Sequence, residues 1–321
     1  MMRTFFYAIP LLFASVAILM IGCSKSQSFN TAISWNIKPQ WKANDYFDDP
    51  KVIALCKAID ARDLKEIDRL VAEGADVNTK GKGNMTPLLW AFPENKPEIF
   101  KRILEHGADP NVVVSSDFGT RFGKIQPGDS VLYHAARTEF PNYFKYVMQH
   151  GGNPNLICRR GLAQFSPLMT VMAGFYPDKN ESIQLLIDAG ADLDYRTDTN
   201  ATALSTSVHG GYFSITLQLL EAGASFNLCK DNGGTFVHSF LREDPEITSK
   251  TATIPPTPEQ IKHYAEVLAW LEANGADLEG AKKDNKTWAQ GGKLSPARIA
   301  ELKKRYADEL AVKEKVDAGK K

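Results

Sequence analysis

Apolar residues recur along most of this chain in short blocks at helical spacing, and each block ends in a glycine. Ile99, Phe100, Ile103 and Leu104 form one such block, with Lys101 and Arg102 on the opposite side, and Gly107 closes it. That periodicity predicts an amphipathic helix ended by a left-handed glycine cap. The closing phrase occurs six times, beginning at Gly74, Gly107, Gly151, Gly190, Gly223 and Gly275. It reads Gly-Ala-Asp-Val-Asn at its first occurrence and varies little afterwards. The glycines are separated by 33, 44, 39, 33 and 52 residues, a period of 33 with insertions.

A second phrase precedes most of these blocks: Thr86-Pro87-Leu88-Leu89-Trp90-Ala91, Ser130-Val131-Leu132-Tyr133-His134-Ala135, Ser166-Pro167-Leu168, Thr202-Ala203-Leu204 and Thr235-Phe236-Val237-His238. Ser or Thr caps a helix N-terminus, and Pro is tolerated at the first helical position because the donor it lacks would be orphaned there. Each unit therefore holds two helices. Between units the chain must turn back, and Asn84, Gly128, Asn200 and Gly233 occupy the slot that calls for left-handed backbone. Gln164 breaks that rule in the fourth unit, whose connecting segment is three residues longer.

These residues resemble the ankyrin repeat, whose signature joins a 33-residue period to a Thr-Pro-Leu-His-x-Ala phrase and a Gly-Ala-Asp-x-Asn end. The resemblance covers roughly Pro50 to Glu279. It implies an all-α fold, a solenoid of about six helix-turn-helix repeats with finger loops between them, followed by a C-terminal helix that starts at Ser295-Pro296. No helix pair in such a fold buries its own apolar face, so stacked neighbours make one core. Pro50-Lys51-Val52-Ile53 opens the first repeat without the Thr-Pro-Leu phrase, as suits an end cap.

Departures from the period are where individual function is expected, since insertions fall in loops that the shared core does not require. The finger from Val112 to Asp129 is eleven residues longer than its neighbours and carries Asp117, Phe118, Arg121, Phe122 and Lys124. The next finger carries Arg159, Arg160 and Phe165, and about nineteen extra residues surround Glu243 to Pro258. Phe118, Phe122 and Phe165 lie in polar, inserted stretches and are read as exposed anchors for a protein partner, with the arginines and Lys124 beside them. Trp90, Tyr133, Phe175 and Trp270 lie at core spacing.

Composition adds exclusions. Lys plus Arg and Asp plus Glu number 38 each, so the net charge is zero and the electrostatic footprint of a nucleic-acid binder is missing. The balance is uneven along the chain. Residues 280–321 hold twelve Lys or Arg against six Asp or Glu, a surplus of six positive charges. That tail is either a packed terminal cap or a surface for anionic lipid. Four Cys without a Cys-x-x-Cys pair argue against a disulfide scaffold or a structural zinc site. The chain has no Gly-x-Ser-x-Gly elbow, no His-Glu-x-x-His helix and no Walker loop, so no enzyme activity and no cofactor or metal is expected.

The chain opens with Arg3 and an apolar run from Phe5 to Gly22, interrupted by Pro10 and Ser15. A charged start, an apolar middle and a small residue before a cut describe a signal peptide; a membrane-spanning anchor needs ~20 apolar residues, for which this run is marginal. Met20-Ile21-Gly22-Cys23 resembles a bacterial lipobox, with Met20 where that family usually has Leu. The resemblance implies cleavage after residue 22, lipidation of Cys23 and an anchor at the periplasmic face of the outer or inner membrane. The expected organisation is a signal peptide at 1–22, a tether at 23–47, ankyrin repeats at 48–279 and a basic helical tail at 280–321. Together with Tyr46-Phe47-Asp48-Asp49-Pro50 and the starts of units two and three, these features are similar to bacterial ankyrin lipoproteins found beside type VI secretion phospholipase effectors. Immunity to such an effector is the function that this resemblance implies. The alternative is a general envelope interaction or stress-protection scaffold with no toxin partner.

Overall fold

In the computed structural model the described residues are 41–318, except 95, 119–124, 139–140, 162, 175–178 and 246–254. A short helix α1 (Ala43–Tyr46) leads into helix pairs that follow one another in chain order. The first pair is α2 (Pro50–Ala61) and α3 (Leu64–Ala72), the second α4 (Pro87–Ala91) and α5 (Pro97–Glu105), the third α6 (Val131–Ala135) and α7 (Pro141–Gln149). A hairpin of β1 (Cys158–Arg160) and β2 (Ala163–Phe165) precedes α8 (Pro167–Met172) and α9 (Asn180–Asp188). Then come α10 (Ala203–His209) with α11 (Phe213–Glu221), α12 (Phe236–Arg242), α13 (Pro258–Ala273), α14 (Leu278–Ala289) and α15 (Pro296–Ala318).

The helix starts are local chemistry. Thr86, Ser130, Ser166 and Thr202 each accept the main-chain N–H three residues on, at 3.1, 3.1, 3.4 and 3.2 Å. Each thereby satisfies one of the donors that a helix N-terminus leaves open. The glycines that close the blocks, Gly74 through Gly275, all have φ between 74° and 95°. The predicted turn slots behave alike, with φ of 61° at Asn84, 94° at Gly128, 59° at Asn200 and 88° at Gly233.

First helices of successive pairs pack on one another, α6 on α8, α8 on α10 and α10 on α12, while the second helices form a parallel layer of α5, α7, α9, α11 and α13. The apolar core runs between the two layers, from Phe47 and Trp90 to Phe240 and Leu271. It begins earlier than the expected tether allows. Ala43 and Phe47 are buried and Trp41 packs on the core, so 41–47 belongs to the folded body. The β hairpin is a second departure from an all-α expectation. An extended loop three residues longer than its neighbours has enough backbone to pair with itself.

A ladder of side-chain amides joins the pairs. Asn78 donates to Gly107 O at 2.9 Å and accepts from Asp109 N at 2.7 Å. Asn111 bridges in the same way to Gly151 and Asn153, and Asn155 to Gly190 and Asp192.

Candidate functional site

Each connecting finger leads into the first helix of the next pair, and in the fourth unit β2 packs on α8. Finger backbones are closed at their turns, with Thr197 N donating to Ala201 O at 3.0 Å and Lys230 N to Gly234 O at 2.8 Å. The long finger is an extended ribbon. Val114 N donates to Asp129 O at 2.9 Å, Gly128 N to Val114 O at 3.0 Å and Phe118 N to Ile125 O at 3.0 Å. Arg121, Phe122 and Lys124 lie outside the described residues, in the segment that joins Phe118 to Ile125.

Phe118 is not an exposed anchor. Only 4% of it is accessible, and its ring stands 6.2 Å from Trp41 and 5.7 Å from Tyr46 in edge-on contact. Those two rings also meet Trp90, at 5.6 and 6.1 Å, so the segment before the first pair clamps the long finger onto the second pair. The polar neighbours of Phe118 suggested exposure because the aromatic partners lie more than seventy residues earlier in the chain. Asp117 does face solvent.

The hairpin divides its residues. Arg159 is exposed and Phe165 is half-buried opposite Cys158. Arg160, expected as a partner contact, is used inside the fold. Its Nε lies 2.9 Å from Oδ1 of Asp129, whose side chain is wholly buried. Asp129 also meets His134 Nε2 at 3.0 Å and accepts from Gln126 N at 2.9 Å. Burial pushes this carboxyl up, but His134, the Gln126 N–H and Arg160 outweigh it and hold the group below its ordinary range. The guanidiniums of Arg160 and Arg137 lie 5.3 and 5.4 Å from the centre of the Tyr133 ring, and both donate to its hydroxyl, at 3.2 and 2.9 Å. Tyr133 is buried, as its core spacing predicts, and so is Trp90; Trp270 is half-buried against Phe226, and Phe175 lies outside the described residues. Nothing in the composition pointed to Asp129. Its signal is position alone, the residue just before a helix cap.

Beside this cluster the Cys158 thiol points at Asp129, 3.6 Å away. Burial first, then the neighbouring carboxylate, pushes it up to about 12, so it stays protonated and is no nucleophile at neutral pH. A Thr-His-Asp alignment occurs at the other end of the stack. Thr235 N and its hydroxyl meet His238 Nδ1 at 3.1 and 2.8 Å, which makes Nδ1 the acceptor and leaves Nε2–H to donate to Asp284 at 3.1 Å. All three residues are buried, and the contacts cap α12 and tie it to α14. Among the described residues no group of His, Cys, Asp and Glu is arranged to hold a metal ion, and no helix is long and apolar enough to cross a membrane.

A family model described as "Ankyrin repeat" matches residues 83–114, the segment containing α4, α5 and the glycine cap at Gly107. This segment is similar to an ankyrin repeat. The ankyrin match is accompanied by a local similarity to the mitochondrial disaggregase of Homo sapiens, 39% identical over 62 residues, or 19% of this chain and 9% of that one. The chain thus spans less than a tenth of the length of that relative. Ankyrin repeats generally bind protein partners, and the fingers described above are the elements that this repeat presents beyond its packed helices.

Proposed function

We propose that all six units form one ankyrin array, that it binds a protein through its finger side, and that it does so as an immunity protein anchored in the bacterial envelope by lipidated Cys23. The observation that carries the binding reading is the row of fingers itself: hydrogen-bonded at their turns, held in order by the Asn ladder and supplied with exposed Asp117 and Arg159. A rigid scaffold that projects irregular loops is the usual architecture of a recognition surface. A tight complex buries ~800 Å² per partner, which several adjacent fingers can supply where one cannot. The proposed occupant is a periplasm-acting phospholipase effector. That part rests on the lipobox and on the resemblance to lipoproteins encoded beside such effectors. No step of catalysis is assigned to this chain.

Co-expression tests the reading. If this reading holds, a Gly-x-Ser-x-Gly hydrolase is encoded in a neighbouring gene, and directed to the periplasm it should kill cells that lack the protein and spare cells that carry it. Failure of the folded, exported protein to bind that hydrolase or to protect would leave the general envelope scaffold as the function. Replacing the lipidation site, Cys23→Ser, should leave an uncleaved precursor or release the protein into the soluble periplasm. A variant still cleaved after residue 22 and still membrane-bound would defeat the anchor.

A further inference from the structure

The Asn ladder changes character at the fourth unit. Asp194 stands where Asn78, Asn111 and Asn155 stand in the earlier units. It still accepts from the next unit, from Ser225 N at 2.7 Å, but a carboxylate has no N–H to donate onward. Its second oxygen instead meets Lys313 Nζ of α15 at 3.3 Å. The next slot, Asn227, is also diverted, donating to Glu309 of α15 at 2.9 Å. At the following finger, Gly233 is approached by Leu294, Ile299 and Leu302, so closely that a Cβ there would stand 2.9, 3.3 and 3.5 Å from their side chains. Helix α15 therefore runs back from the end of the stack along the finger bases of units six, five and four.

It is not needed there to close the stack. Helix α14 already covers α12, through His238–Asp284 and the donation of Asn285 Nδ2 to His238 O at 2.9 Å. Among the described side chains of α15, Leu302 is the apolar one that is buried, with Ile299, Tyr306 and Leu310 half-buried beside it; Lys313 and Glu309 make polar pairs further along, and Arg298 meets Asp277 and Asp284 at its start. Of these, the half-exposed Lys313–Asp194 pair is of the kind that contributes little and is weakened by salt, whereas Arg298 is anchored on the buried Asp284.

We propose that the finger bases of units four to six form a helix-docking site, that α15 is its occupant in cis, and that a partner presenting an amphipathic helix of the same pattern competes for it. The fitting helix has apolar residues at the spacing of Ile299, Leu302 and Tyr306, a carboxylate at the Glu309 position opposite Asn227, and a lysine at the Lys313 position opposite Asp194. This rests on the reading that the finger side is the recognition surface, and it leaves units one to three as the part open at all times.

The test uses the whole chain and a fluorescent peptide of residues 293–318. Leu302→Asp with Lys313→Glu alters only α15, so it should free the site without changing it. Polarisation should show the released variant binding the peptide at least tenfold tighter than the wild type does. Adding Asp194→Lys should weaken that binding several-fold, and a peptide carrying Lys313→Asp should restore it. Equal binding by wild type and released variant, or none by either while the helical circular dichroism is retained, overturns the proposal. If the released variant fails to fold, amide exchange in the wild type decides. Residues 299–313 should exchange by local opening, faster than α14, and protection equal to that of α14 would make α15 an integral part of the stack. Peptide capture reads the docking site alone, so a chain that captures peptide and binds no phospholipase keeps this inference and loses the immunity reading.

Discussion

At the scale of single residues, the fingers contain side chains that hold the stack and side chains that face away from it. Phe118 holds it, so Phe118→Ala should cost about 3 to 5 kcal/mol in chemical denaturation, the usual penalty for emptying a buried aromatic site. Arg159→Ala should stay within about 0.5 kcal/mol of the wild type, because the side chain is exposed, while weakening partner binding. Asp129→Ala should cost about 3 kcal/mol, since it removes a wholly buried carboxylate from between His134 and Arg160. These two fingers also show where the sequence could be read and where it could not. Caps such as Thr86 and turn residues such as Asn84 were legible, because their chemistry is complete within four or five residues. Phe118 was misread and Asp129 missed, because what buries each of them is contributed by a distant segment, Trp41 and Tyr46 in one case and Arg160 in the other.

The elements make two further expectations measurable. Cys56 lies in α2, Cys158 in β1 and Cys229 in the finger before α12; all three are buried. Thiol titration should find three in the denatured, unreduced protein and slow reaction in the native one, with Cys158 held far from its reactive form. A count of one or none would mean that a disulfide has formed. The junction of α12 with α14 should respond to acid. Burial depresses the His238 imidazole below its ordinary 6.5, against the pull of Asp284 and reinforced by the positive charges of Arg298 and Arg242. A depressed histidine stabilises the fold fully above its unfolded value and loses that contribution as pH falls below about 6.5. Melting temperature should therefore drop as pH is lowered from 7 to 5.5, and His238→Asn should flatten the drop. Asp129 and Asp277, held below 3.8, add their own loss only in stronger acid. The hairpin β1–β2 belongs at this scale too: the extra residues announced a departure from the period, but pairing of a strand with itself left no alternating pattern in so short a run.

For the whole molecule, the ladder determines how strain and unfolding spread. Units that touch only their neighbours unfold in stretches, and Asn155 supplies two of the hydrogen bonds that join the third unit to the fourth. Asn155→Ala should cost about 1 to 3 kcal/mol and separate the melting of the two halves, seen as a broadened or split transition.

The path of α15 has a mechanical consequence. A stack linked neighbour to neighbour is a spring, able to lengthen or coil by small equal tilts at every junction. A helix of 23 residues that grips Asp194, Asn227, the Gly233 notch and Asp284 is a splint across half of that spring. Pulled from its ends, the stack of helix pairs would stretch first where no splint lies, in units one to three, and anything that lifts α15 away would change the elasticity of the protein.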